Sequence, residues 1–179
     1  MSILKRFVSY YKPYRHLFYL DCLCATVLCI IDLSFPQILR WLPEGLFSGN
    51  AASIFSALRW LFPALLIWYL LRALCQFYVT SYGHVMGTRM ETDMRQDLFD
   101  KYMSLSYSYY DQNNTGEMMS RLVSDLFDIS ELAHHGPENL LMCSIKIIGS
   151  FILLLWVNVP MTMLLLAVTA ILVIFTVFR

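Results

Sequence analysis

The sequence predicts an all-α, polytopic membrane protein with four long transmembrane helices, and three observations predict it. First, 58% of the 179 residues are hydrophobic, 15% are charged, and mean hydropathy is +0.57. A soluble domain carries about 25% charged and about 45–50% apolar residues, so the apolar excess calls for a second solvent, the bilayer. Second, the apolar stretches at residues 17–43, 54–82, 131–157 and 159–178 approach or exceed the roughly 20 residues a spanning helix needs. Third, the basic residues outside these stretches keep to one side. Lys5, Arg6, Lys12 and Arg15 precede the first stretch and Arg89, Arg95, Lys101 and Arg121 follow the second, whereas residues 44–53 and 158–160 carry none. Positive residues stay inside, which puts the N-terminus, residues 83–138 and Arg179 in the cytoplasm.

The first stretch is interrupted by Asp21, Asp32 and Pro36. Its basic approach resembles a signal-peptide leader, but the apolar run is too long and no small-x-small cleavage site closes it. A retained first span is expected. The five cysteines, Cys22, Cys24, Cys29, Cys75 and Cys143, all lie in apolar stretches without the paired spacing of a zinc site. They read as small hydrophobes between helices. Zero net charge and a pI near 6.9 lack the basic footprint of a nucleic-acid binder, so the lipid bilayer is the partner that composition implies.

The second stretch holds Arg59, Pro63 and Arg72, and its helical pattern continues past the membrane to about residue 103. Met86, Met90, Met94, Leu98 and Tyr102 recur every four residues as an apolar stripe on one face. Glu91 before Arg95 and Asp97 before Lys101 are expected as i,i+4 ion pairs. A helix over 54–103 is a rod of roughly 75 Å against about 30 Å of hydrocarbon, so more than about 30 Å of it is expected to project into the cytoplasm.

The rod ends near residues 104–110, and Asp111-Gln112-Asn113-Asn114 is a turn cluster. Thr115 is then expected to cap a short helix from Gly116 to about Val123, with Glu117 near its positive end. Ser124 or Asp125 is expected to cap the third spanning helix, which carries Asp128 and Glu131 early and rises through His134, His135, Gly136 and Pro137. The pattern is a long helix down, a short helix across, and a long helix up.

The run Tyr109-Tyr110-Asp111-Gln112-Asn113-Asn114-Thr115-Gly116-Glu117-Met118-Met119-Ser120-Arg121-Leu122-Val123-Ser124-Asp125 resembles the first intracellular loop of ABC exporters, the multidrug and lipid-flippase type. Lys12-Pro13-Tyr14-Arg15, and Asp32 followed by Pro36, also look like that family. The resemblance implies a partial exporter-type transmembrane domain whose short helix, about residues 115–123, couples to an ATP-binding domain. Asn113, Asn114, Thr115, Gly116, Glu117, Met118, Arg121, Leu122 and Asp125 are the coupling candidates, with Met118, Met119 and Leu122 as knobs in a groove of the ATPase. It further implies partners in a nucleotide-binding domain and a second transporter half, homo- or heterodimeric, and transport by alternating access. A complete half has six spans and an ATPase, so two spans and the ATPase are expected to lie outside these residues. No glycine here begins a G-x-x-x-x-G-K-[ST] loop, so the chain is expected to hold no catalytic residue and no cofactor. ATP and Mg2+ belong to the nucleotide-binding domain.

Asp21, Asp32 and Arg72 are ionisable groups within spans, where a charge costs several kcal/mol unless it faces a cavity or a partner. Asp21 and Asp32 are eleven residues apart, nearly on one helix face, and could line a polar substrate path or share Arg72. Alternatively Asp21 sits at the inner interface and only Asp32 is deep. Gly83 and Gly87 permit close helix approach, most simply within the same domain. His134 and His135 point about 100° apart on a helix, so no metal ligand is assigned. The Asn113-Asn114-Thr115 sequon falls on the cytoplasmic side. Trp41, Trp60, Trp68, Tyr69 and Phe77 suit amphipathic cargo and membrane interfaces equally. Two rival readings remain, a small non-catalytic membrane subunit or regulator, and a non-functional truncated gene product.

Overall fold

The computed structural model describes the backbone of residues 3–46 and 51–178, and side chains over 5–40 and 59–178. Among the described residues all elements are helices: α1 (Ile3–Ser9), α2 (Arg15–Leu46), α3 (Ala51–Met103), α4 (Tyr107–Gln112), α5 (Thr115–Ser120), α6 (Leu126–Val157) and α7 (Val159–Val177). Among the described residues, four helical segments are long and apolar enough to cross a membrane: Arg15–Arg40, Arg59–Met103, Thr115–Val157 and Val159–Val177. Part of the connector expected at 44–53, Arg179, and the side chain of Trp41 lie outside the described residues.

α2, α3 and α6 pack into one bundle, and two different physical forces hold its two ends. Within the apolar stretches, small side chains let α2 and α3 approach: Cys24, Ala25 and Cys75 are buried together with Leu28 and Val79. Lipid gives no hydrophobic drive to helix association, so close packing of small residues must supply it. All five cysteines are free, and three of them are buried. Where charged residues interrupt the apolar pattern, as they do along α3 from Arg89 onward, burial draws on the hydrophobic effect. There the methionine stripe is buried as its spacing predicts, with Met86, Met90 and Met94 at 1%, 0% and 7% exposure against Leu126 and Ala133. Each such side chain contributes about 1.5–3 kcal/mol.

The residues before α2 seal this lower core. Phe7, Tyr10, Tyr11 and Tyr14 lie against the methionines. Tyr10 and Tyr14 donate their hydroxyls to Asp97 (2.6 Å) and Asp93 (2.9 Å), and Tyr11 donates to the Ala133 carbonyl at 2.7 Å. Burial first, and then hydrogen bonding to the aspartates, raises the Tyr10 and Tyr14 phenols above their ordinary value. Asp97 therefore does not pair with Lys101 as its spacing predicts: it takes Tyr10, with Arg6 at 3.9 Å. The Glu91–Arg95 pair does form.

Local expectations are corrected between Asp111 and Leu126: Asp111 and Gln112 belong to α4 and not to a turn cluster, and the short helix expected over about 115–123 runs without a break through a π turn into α6. The cap of α5 is Asn114, whose side chain accepts from the Gly116 N–H at 2.9 Å; Thr115 is already helical. The Asn114 amide oxygen, one bond farther from Cβ than a threonine hydroxyl, reaches that N–H from the extended residue before the helix. Ser124 and Asp125 do not cap α6. Residues Arg121–Asp125 form a π-helical turn, and Asp125 keeps helical backbone angles with no capping bond. No Gly or Pro interrupts 117–135, so the chain widens its helix by one turn instead of breaking it. α6 and α7 meet at Asn158, whose side chain accepts from the Met161 N–H at 3.2 Å.

Candidate functional site

The far end of the rod carries the segment from Asn113 to Asp125. Arg95 of α3, oriented by Glu91, donates through Nε to the Leu122 carbonyl at 3.1 Å and holds the π turn on the rod. Met118 and Leu122 turn inward and are buried. The outer face holds Thr115, Gly116, Glu117, Met119, Ser120, Arg121, Val123 and Asp125, all exposed. Glu117 and Arg121 pair at 2.6 Å in the open, and that hydrogen bond raises the Arg121 guanidinium above its ordinary value. Asn113 is exposed too and donates to the Tyr109 carbonyl at 2.8 Å.

Of the apolar knobs expected on this face, only Met119 points outward, at 59% exposure; Val123, at 55%, joins it. Met118 and Leu122 fix the segment to its own chain instead. The signal for Val123 was present in the sequence: it lies at i+4 from Met119, as Leu122 does from Met118.

Within the apolar stretches, Asp32 is the centre of a three-residue charge cluster. Arg72 of α3 donates to its Oδ1 at 3.0 Å, and Lys146 of α6 donates to its Oδ2 at 2.9 Å. The carboxylate thus ties all three bundle helices at one level. A pocket of about 400 Å³ opens beside it, lined by Ile31, Asp32, Phe35, Trp68, Tyr69 and Arg72. Lys146 was missed in the sequence, although a single lysine within an apolar run is itself a signal.

Asp21 does not join this cluster. It lies about 9 Å along α2 from Arg15, whereas Asp32 lies about 25 Å along. The two share a face but meet the neighbouring helices at different levels. Asp21 is buried beside His134 and Glu138 of α6. Gly83 and Gly87 bring α3 and α6 together at that level. A Cβ on Gly83 would overlap the His134 ring, and one on Gly87 would lie 3.4 Å from His134 Cβ.

Comparison with known proteins agrees with this architecture. The model of the ABC transporter transmembrane region matches residues 18–179. The chain is 41% identical over 156 residues to the ABC transporter ATP-binding protein YwjA of Bacillus subtilis (strain 168), covering 87% of this chain and 27% of that protein. It is 24% identical over 169 residues to the putative multidrug export ATP-binding/permease protein YgaD of the same organism, covering 91% and 29%. It is 25% identical over 162 residues to the ATP-dependent lipid A-core flippase of Thiobacillus denitrificans (strain ATCC 25259 / T1), covering 90% and 28%. The chain spans little more than a quarter of the length of these relatives.

Proposed function

The chain belongs to the ABC transporter transmembrane family, and from that premise we propose that it forms part of the translocation path of an ATP-driven exporter and receives the ATPase's motion through residues 113–125. The observation that carries this is the geometry of α3. Its 53 residues make a helix of roughly 80 Å, against about 30 Å of hydrocarbon. The part beyond the membrane ends in an exposed, capped short helix that is pinned to the rod by Arg95. A membrane domain needs such a projection to reach a partner in water.

In this reading the partner is a nucleotide-binding domain, which supplies the ATP and Mg2+ chemistry, while this chain contributes no ATPase residue. Met119 and Val123 seat in an apolar groove of that domain, and the Glu117–Arg121 pair sets the register. The positive-inside distribution supports a cytoplasmic N-terminus and a cytoplasmic rod. A second transporter half is the other partner. α7 supports this, because Thr162 is its one buried residue among those described, while Leu164, Ile171 and Phe175 stand open. The names of the lipid A-core flippases and the multidrug exporter support an amphipathic cargo, and the aromatic and charged pocket at Asp32 suits one.

The test is ATP-dependent translocation of a fluorescent amphipathic lipid in liposomes, using the transporter assembled with its nucleotide-binding domain. The expectation is that Met119→Asp abolishes coupled transport while the ATPase still binds nucleotide. Full transport in Met119→Asp would contradict the assignment of this face.

A further inference from the structure

Where α2, α3 and α6 converge near the inner membrane boundary, Asp21, His134 and Glu138 bring one donor atom each to within 4.8 Å of one another. All three are buried, at 3%, 3% and 9% exposure. Asp21 Oδ1 and His134 Nδ1 are enclosed with no hydrogen-bond partner. Buried polar atoms almost always have one, and an unpaired one costs about 1–3 kcal/mol. His134 Nε2 stands 3.8 Å from Glu138 Oε2. Gly83 leaves on α3 the space that the imidazole fills.

The charge at this site is also unbalanced. Asp32 has Arg72 and Lys146, yet among the described residues no lysine or arginine pairs with Asp21 or Glu138. Glu138 meets only His134 and His135 in ion-pair range. The groups facing the site from α3 and α6 are themselves ligand types. His84 lies with its ring 5.1 Å from that of His134, and the His135 ring is 4.4 Å away. His135 also meets Glu131 at 3.5 Å, which orients it.

We propose that Asp21, His134 and Glu138 bind a divalent transition-metal ion, Zn2+ or Mn2+, that clips α2 to α6, with the open coordination position facing His84 and His135. One imidazole and two carboxylates are donors these ions accept, and a dication neutralises both carboxylates. Metal–ligand bonds of about 2.0–2.2 Å put tetrahedral donors about 3.3–3.6 Å apart, so the 3.8 Å His134–Glu138 separation closes by a few tenths of an ångström, and the Asp21 donor, within 4.8 Å of the others, closes by up to about 1.5 Å. The angle expected between His134 and His135 along one helix does not oppose this site, because only His134 of the pair is a ligand, and the two rings in any case lie 4.4 Å apart.

The experiment is metal analysis of the full-length protein, purified in detergent without chelator and without a polyhistidine tag, followed by titration of the stripped protein with Zn2+ or Mn2+ alone. About one ion per chain is expected, with a raised thermal midpoint that EDTA reverses. Asp21→Asn and Glu138→Gln are each expected to weaken binding by about tenfold or more. Co2+ added to the unmodified, stripped protein is expected to give the visible bands of a low-symmetry site, which keeps the test standing if a variant fails to fold. Absence of uptake, thermal shift and Co2+ bands would overturn the proposal and leave a cluster that shares protons only. Metal retained equally by both variants would overturn it as well, since the ion would then sit elsewhere.

Discussion

Tyr14 on Asp93 and Tyr10 on Asp97 are four residues apart on both sides of the contact, so the segment before α2 locks onto the rod turn by turn. Tyr14→Phe removes one hydrogen bond to a carboxylate and is expected to lower stability by about 1–2 kcal/mol in a thermal melt. Because burial and the aspartate raise this phenol, the contribution is present below the ordinary phenol value of about 10 and is lost only as pH rises through the higher folded value. No pH dependence from it is expected near neutrality. At Asp32, replacement by Asn leaves Arg72 and Lys146 without their shared partner. Within the apolar stretches two cations left without a partner cost more than an exposed pair does, so a loss of about 3–5 kcal/mol is expected. Lys146→Met in the same chain should recover part of it, which a double-mutant cycle measures. Asp32 and Arg72 stood out in the sequence as charges in apolar runs. Their meeting was one of the readings left open there, but that Asp32 and not Asp21 takes Arg72 depends on the α2–α3 register, which no periodicity within one helix encodes. The tyrosine–aspartate bonds were hidden for the same reason.

At the scale of elements, α3 was legible from end to end. Its four-residue methionine recurrence and its lack of proline between Pro63 and Met103 specify one long helix with one buried face, which tolerates Gly83 and Gly87 where α6 packs against it. Met90→Ala is expected to cost about 2–5 kcal/mol, measured by thermal or denaturant unfolding in detergent, because Met90 is fully enclosed. The segment from Asn114 to Leu126 was legible only in outline. A short helix was evident from Thr-Gly-Glu after a turn cluster, but its inner face depends on Arg95 and the π turn, which are tertiary features. The two methionines of that segment now separate cleanly. Met118→Asp buries a charge and is expected to lower the melting temperature. Met119→Asp is expected to leave stability within about 0.5 kcal/mol, as exposed substitutions do, while uncoupling transport. Equal thermal losses in both variants would contradict the inward and outward assignments.

For the whole molecule, the bilayer boundary divides the bundle into a part held by small-residue packing and a part held by hydrophobic burial. The sequence showed that division clearly, since chain composition changes where the solvent does. What composition could not show is what covers α7, whose apolar side chains have few neighbours here. The four-span segment alone is therefore expected to be polydisperse in detergent by size-exclusion chromatography. A monodisperse, heat-resistant monomer would contradict that expectation. The central claim is that the exposed face of residues 113–125 docks on an ATP-binding domain. Its most direct test is a cysteine introduced at Met119, in a background with Cys22, Cys24, Cys29, Cys75 and Cys143 replaced, cross-linked in the assembled transporter with a short bifunctional reagent. The account expects the adduct to join this segment to the ATP-binding domain, with a yield that changes when ATP is added. Cross-linking only to other membrane helices, with the ATP-binding domain untouched, would contradict it.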